Sequence, residues 1–482
     1  MDVSVPMRLN QLYVDGEWRD AADGATLDVR NPATGDLLAS VASATVEDGF
    51  LALDAAEKAF PAWAARMPRE RGEILRRAFE LIMARQEEFA HLITLENGKA
   101  LVDARAEIAY AAEFFRWNAE EAVRIIGEIS RAPSTGSRIL VQHRPAGVAL
   151  MVTPWNYPAA MATRKIAPAL AAGCPVIIKP ASETPLTMLA LLPVLEQAGV
   201  PRGIVSVLPS RTPGPLVDSL LHDFRVRVVS FTGSTQVGRV LLRSAADCVV
   251  NPAMELGGNA PFVVLEDADI DAAVEGAMMA KMRNLGEACT AANRFYVHAA
   301  VYDAFATAFT RRMAALKVGN GLEAGVEVGS LINAKTRAKV TELVNDAVDH
   351  GARILTGGRP LDGPGYFFPP TVLADVPEDA RCLHEEIFGP VAALVRFSDE
   401  SEMIGRCNAT EYGLVAYLFT KDLRRGLAIA EKLDFGMVGL NRGLVSDPAA
   451  PFGGMKQSGI GREGAHHGIM EFLETQYVSV AW

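Results

Sequence analysis

Apolar residues recur at helical spacing through residues 46–124, where Ile74, Leu75, Phe79, Ile82 and Met83 share one face. That periodicity predicts helix. Gly98 follows Leu95-Glu96-Asn97 and suits a helix C-cap, because a residue without Cβ accepts the left-handed backbone that ends a helix. From Gly147 the pattern changes to short β-branched runs at 148–152, 176–178, 205–208 and 226–231, bounded by Pro and Gly. Each is separated from the next by a stretch long enough for a helix. Parallel strands joined by helical crossovers give this alternation, and runs that are apolar throughout belong to a sheet covered on both faces. The reading is a doubly wound α/β domain. A second α/β series, with strands expected at 262–265, 294–297, 392–397, 415–420 and 437–441, forms a separate domain. Residues 128–145 read as a hairpin and 477–482 as a terminal strand. Either could pair within the chain or add to the sheet edge of a neighbouring subunit, and the sequence leaves both open.

The composition sets limits on this picture. In 482 residues, 50% hydrophobic and 22% charged, two or three globular domains are expected. No apolar run approaches the roughly 20 residues that cross a bilayer, and residues 1–10 lack the apolar core of a signal peptide. The expectation is a cytoplasmic protein with no membrane partner. A net charge of −11 argues against nucleic acid as a partner. Cys174, Cys248, Cys289, Cys382 and Cys407 form neither a disulfide framework nor, with the histidines, a metal-ligand cluster, so no metal is expected. The adjacent His466 and His467 are read as part of a surface loop.

Five segments carry candidate chemistry. Phe231-Thr232-Gly233-Ser234-Thr235 ends a strand and opens a helix, where free backbone N–H groups favour a pyrophosphate, although such turns are also common without a ligand. Lys179, at the end of the strand 176–178 and followed by Pro180-Ala181-Ser182, is placed to meet ribose or phosphate oxygens; strand-end lysines are more often merely solvated. Thr153-Pro154-Trp155-Asn156-Tyr157-Pro158 is a rigid turn displaying Asn156, whose amide suits an oxyanion, though turn asparagines usually bond their own backbone. Glu255, among apolar neighbours in Met254-Glu255-Leu256-Gly257-Gly258, should have a raised pKa suited to a general base, or else simply accept backbone bonds at the Gly-Gly turn. Cys289 lies in the small-residue segment Gly286-Glu287-Ala288-Cys289-Thr290, and a lone cysteine is otherwise a small buried hydrophobe.

Taken in order, these segments together with Glu385-Glu386-Ile387-Phe388-Gly389-Pro390 and Pro451-Phe452-Gly453-Gly454 resemble the aldehyde dehydrogenase superfamily over nearly the whole chain. The resemblance implies a Rossmann-type cofactor domain (1–124 and 146–256), an α/β catalytic domain (257–455) and a small β oligomerisation element (125–145 and 468–482), assembled as a homodimer or homotetramer. It implies Cys289 as nucleophile, Glu255 as base and Asn156 as oxyanion donor, with Trp155, Lys179, Ser182, Gly233, Ser234, Glu386 and Phe388 holding NADP or NAD. Ser182 stands where many NAD-preferring relatives carry glutamate, which points to use of NADP. Hydrolysis of a Cys289 thioester completes the reaction, with Glu463 as an exit for the proton.

Arg164, Arg283 and Ser446 match the carboxylate-binding positions of the succinate-semialdehyde dehydrogenases. Read from the residues, two arginines in largely apolar stretches need anionic partners, which an internal Asp or Glu would also supply. Succinic semialdehyde is the expected substrate and glutaric semialdehyde the rival. A catalytically silent structural or binding protein and a thiol esterase are the alternatives of other classes. Ala291 stands where some members carry a second cysteine, so no disulfide can form within the Cys289 loop.

Overall fold

The structure, a computed structural model, describes residues 9–481, so most of the 1–10 segment and Trp482 at the end of the expected terminal strand lie outside the described residues. An eight-stranded sheet runs in the order Gly459–Ile460, Asn251–Glu255, Val226–Thr232, Val148–Val152, Val176–Lys179, Val205–Val207, Leu12–Val14, Glu17–Arg19. The five strands from Asn251–Glu255 to Val205–Val207 are mutually parallel, as the apolar runs required, and the pairings at both ends are antiparallel. A seven-stranded sheet follows the order Arg353–Thr356, Thr371–Ala374, Val391–Phe397, Ala292–His298, Ala260–Val264, Val415–Phe419, Met437–Leu440, parallel except at Arg353–Thr356. Helices cover both sheets, and each sheet has its own apolar core.

The region 46–124 is not one helix but four, Val46–Ala64, Pro68–Ala84, Gln86–Asn97 and Leu101–Glu121, ending in a short 3₁₀ turn. Pro68 sits at a first helical position, where its missing N–H costs nothing, and Gly98 caps Gln86–Asn97 at φ 90°, as its sequence context foretold. The hairpin is present as Glu128–Arg131 and Arg138–Pro145, and the terminal strand as Leu473–Val480. Arg138–Pro145 pairs with both of the others inside the chain, Leu473 opposite Pro145 and Val480 opposite Arg138, so the within-chain pairing that the sequence allowed is present. Residues 456–467, outside the three expected domains, supply Gly459–Ile460 to the first sheet. His466 and His467 are exposed as expected, but they sit on the short helix Ala465–Met470 rather than in a loop, and His466 Nδ1 meets Glu121 at 2.8 Å. No described helix is long and apolar enough to cross a membrane.

Candidate active site

Two strand ends and one helix end converge on a cavity of about 690 Å³. The strand Val148–Val152 runs into the turn carrying Asn156, which is buried at 5% exposure, and the strand Asn251–Glu255 ends on Glu255. The helix Ile270–Met282 stops before Arg283, and the chain then loops through a left-handed turn to Cys289, which is half-buried. Asn156 Nδ2 donates to the Glu287 carbonyl at 3.0 Å, so one of its two N–H groups is engaged by the cysteine segment and the other is left for the cavity it lines. Burial pushes the Cys289 thiol up to about 12, with Arg164 pulling down and Glu255 pushing up.

One group of lining side chains comprises Trp155, Glu183, Gly233, Ser234, Glu386 and Phe388. The Trp155 and Phe388 rings meet edge to face at 5.4 Å. Ser234 caps the helix Thr235–Asp247, accepting from Val237 N, so the helix start opens on the cavity. Lys179 is buried at 8% exposure and has no hydrogen-bond or salt-bridge partner among the described residues; burial lowers its ammonium to about 8, against the pull of Glu183. Burial raises the Glu386 carboxyl to about 7, and Glu386 Oε1 accepts from Gly258 N at 3.2 Å. A helix start, an unpaired cation and an apolar ring pair fit the diphosphate, ribose and nicotinamide of a dinucleotide. Ser182 is not in the wall: its hydroxyl donates to the Ser210 carbonyl at 2.9 Å, and the neighbouring Glu183 faces the cavity instead.

A second group comprises Tyr110, Met161, Arg164, Arg283, Ser446 and Phe452. Arg283 Nε donates to Tyr157 Oη at 3.2 Å and Nη2 reaches Ser446 Oγ at 3.5 Å, and Arg283 has no carboxylate salt-bridge partner among the described residues. Arg164 differs. Its Nε lies against Glu463 Oε2, so the internal carboxylate that sequence alone allowed is there, while its guanidinium rests over the Phe452 ring at 4.2 Å and still borders the cavity. Lys165 Nζ also pairs with Glu463, at 2.5 Å, and the two cations hold that carboxyl below its ordinary range despite burial. Glu255 lies outside the lining at 4% exposure; burial, then the nearby Glu463 charge, raises its carboxyl well above the usual range, as its apolar neighbours in sequence foretold.

Along its length the chain matches the aldehyde dehydrogenase family over residues 18–478. It belongs to that family. Over 445 residues it is 54% identical to a succinate-semialdehyde dehydrogenase of Paenarthrobacter nicotinovorans, covering 92% of this chain and 99% of the relative. A glutarate-semialdehyde dehydrogenase of Pseudomonas aeruginosa is 49% identical over 468 residues, 97% of either chain. A solved structure described as an E. coli NADP-dependent enzyme matches with a TM-score of 0.97 and 47% identity over 98% of both chains. The fold is thus the aldehyde dehydrogenase fold, and the activity class is NAD(P)-dependent oxidation of an aldehyde.

Several side chains in or behind this cavity were not marked out by sequence. Lys165, buried behind the lining, carried the same signal as Arg164, a cation inside the apolar helix Ala160–Ala172. Tyr110, Tyr157 and Glu183 carried no such signal, since nothing in their spacing distinguishes them from core or surface positions.

Proposed function

We propose that this aldehyde dehydrogenase oxidises succinic semialdehyde to succinate, in the cytoplasm and as a homodimer or homotetramer. The observation that carries the substrate is Arg283, a guanidinium bordering the same cavity as Cys289, bonded to two neutral hydroxyls and, among the described residues, to no carboxylate. A cation so placed has its strongest available partner in the distal carboxylate of a short semialdehyde. Ser446 adds a hydroxyl beside it. Arg164 contributes charge from the wall, while its Nε is committed to Glu463.

In the reaction, Cys289 sulfur bonds to the aldehyde carbon, and the developing alkoxide is held by the free Asn156 N–H and the Cys289 backbone N–H. The C–H bond of that carbon breaks as hydride, for which a nicotinamide cofactor, when bound, would be the acceptor. Lys179, Ser234 and Glu386 would hold it, with Gly233 allowing close approach and Trp155 and Phe388 packing on it; Ser182 acts indirectly, through the Ser210 loop. The acyl group is left as a thioester on Cys289. Glu255, kept basic by burial, removes a proton from water, the water oxygen attacks the acyl carbon, and the C–S bond breaks with Cys289 leaving as thiolate. Glu463 and Lys165 offer that proton a buried route outward.

The test compares succinic semialdehyde, glutaric semialdehyde and butanal on wild type and Arg283→Ala. Losing one partner of a buried charge pair costs about 2 to 5 kcal/mol, so kcat/KM for the semialdehydes should fall about 30-fold or more while butanal barely changes. Equal losses on all three substrates would make Arg283 structural. Glutaric semialdehyde is the second reading, favoured by the Pseudomonas aeruginosa relative. One methylene shifts selectivity by only about 1 to 3 kcal/mol, so a higher kcat/KM for the longer substrate would exchange the two assignments without touching the role of Arg283.

A further inference from the structure

Between the helix Ile270–Met282 and Cys289, three successive residues adopt left-handed backbone: Asn284 (φ 53°), Leu285 (φ 44°) and Gly286 (φ 79°). Two of them carry a Cβ, and for leucine no polar side chain offsets the crowding, so the turn persists only because its surroundings hold it. The holding contacts converge on the Asn284 amide, which is fully buried. Asn284 Nδ2 donates to the Asn156 carbonyl at 3.0 Å and to the Glu287 carbonyl at 2.8 Å, using both of its N–H groups. The Asn284 main-chain N–H donates to Asp103 Oδ2 at 3.1 Å.

The two acceptors are significant because of what they belong to. The Glu287 carbonyl, two residues before Cys289, is the same oxygen that receives the Asn156 side chain. The Asn156 carbonyl is held a second time, by Lys99 Nζ at 2.7 Å, whose charge is matched by Glu107 at 2.6 Å. Glu107 in turn accepts from Ala159 N at 2.8 Å, at the foot of the Asn156 turn. One amide therefore ties the segment that carries the oxyanion donor to the segment that carries the nucleophile, and a buried ion pair fixes the near side of the tie.

We propose that Asn284 is a positioning residue: it sets the spacing between the Asn156 amide and Cys289, so that the free Asn156 N–H points at the alkoxide oxygen and not past it. The proposal rests on Asn156 being the oxyanion donor. Hydrogen bonds aimed at developing charge lose most of their catalytic effect when displaced by a fraction of an ångström, so loss of the tie should act on kcat rather than on substrate binding.

The test is a double-mutant cycle on Asn156→Ala and Asn284→Gly, with kcat and KM for succinic semialdehyde and the KM for the cofactor. Glycine keeps the left-handed backbone and removes only the amide. Asn284→Gly should lower kcat about 10-fold or more with both KM values within about 3-fold, and Asn156→Ala should lower it about 100-fold or more. Added to Asn156→Ala, Asn284→Gly should cost less than about 3-fold, because its effect passes through the missing amide. Independent, multiplying losses, or an undiminished kcat in Asn284→Gly, would overturn the proposal and leave the role of Asn156 intact. An undiminished kcat in Asn156→Ala would remove the oxyanion assignment itself. Thermal unfolding checks each variant, and if the glycine chain does not fold, the near-isosteric Asn284→Asp takes its place in the same cycle.

Discussion

At the scale of single residues, the proposed chemistry rests on the Cys289 thiol and the buried Glu255 carboxyl. With Cys289 raised to about 12 by burial, the thiolate fraction in the free protein is small at neutral pH and, up to that value, grows tenfold for each unit by which the pH rises. Alkylation of Cys289 by iodoacetamide should therefore accelerate about tenfold per unit from pH 7 to 10 without a plateau, read by mass spectrometry of the Cys289 peptide. A plateau below pH 9 would show a thiol held lower than its surroundings imply. Replacing Glu255 by Gln should leave acylation and stall hydrolysis, giving a burst of about one reduced cofactor per site and then slow turnover; loss of the burst would assign Glu255 to the first half-reaction. On the proposed reading, cofactor choice would be set at Lys179 and Glu183. The Lys179 ammonium would attract a 2′-phosphate, while Glu183 in the wall opposes it, so both cofactors should be turned over and Glu183→Gln should raise the NADP-to-NAD ratio of kcat/KM several-fold. A ratio unchanged by that substitution would take Glu183 out of the ribose site.

At the scale of elements, what was legible depended on length and period. The long parallel strands were readable because each is a run of apolar residues with no alternation to confuse it. The strands Leu12–Val14 and Glu17–Arg19 were not, since three residues carry no period and the pair joins the main sheet only through Tyr13 opposite Val207, far along the chain. Asn251–Glu255, which delivers Glu255, was hidden by Pro252. That proline is tolerated because Gly459–Ile460 pairs only with Met254 and Glu255, leaving the Pro252 edge without a neighbour to need its N–H. Gly98 shows an element boundary set by backbone and packing together: it holds φ 90°, and a Cβ there would come within 2.4 Å of Ser330 Oγ and 2.7 Å of Pro32 Cγ. Gly98→Ala should lower stability by about 1 to 3 kcal/mol in chemical unfolding. A stability equal to wild type would mean that the helix end relaxes freely.

At the scale of the whole molecule, the three-stranded sheet bears on assembly. Ile126 and Ile129, at 76% and 74% exposure, stand on or beside its outer strand Glu128–Arg131, whose far edge has no strand partner among the described residues. Exposed apolar residues along an open edge fit a surface that a second copy covers. The double substitution Ile126→Lys with Ile129→Lys should shift the mass in light scattering to a smaller species, with the fold retained. An unchanged mass would place the subunit contact elsewhere. The sequence by itself determined the two α/β layers, the hairpin and the ordered motifs around Asn156, Lys179, Gly233, Glu255 and Cys289, because residue type and short-range period are local properties. Only the tertiary structure decided which arginine has no carboxylate partner among the described residues. Lys165 meets Glu463 across 298 residues and Arg283 meets Ser446 across 163, and a charge is neutralised by whichever side chain folding brings within reach, which no local pattern records.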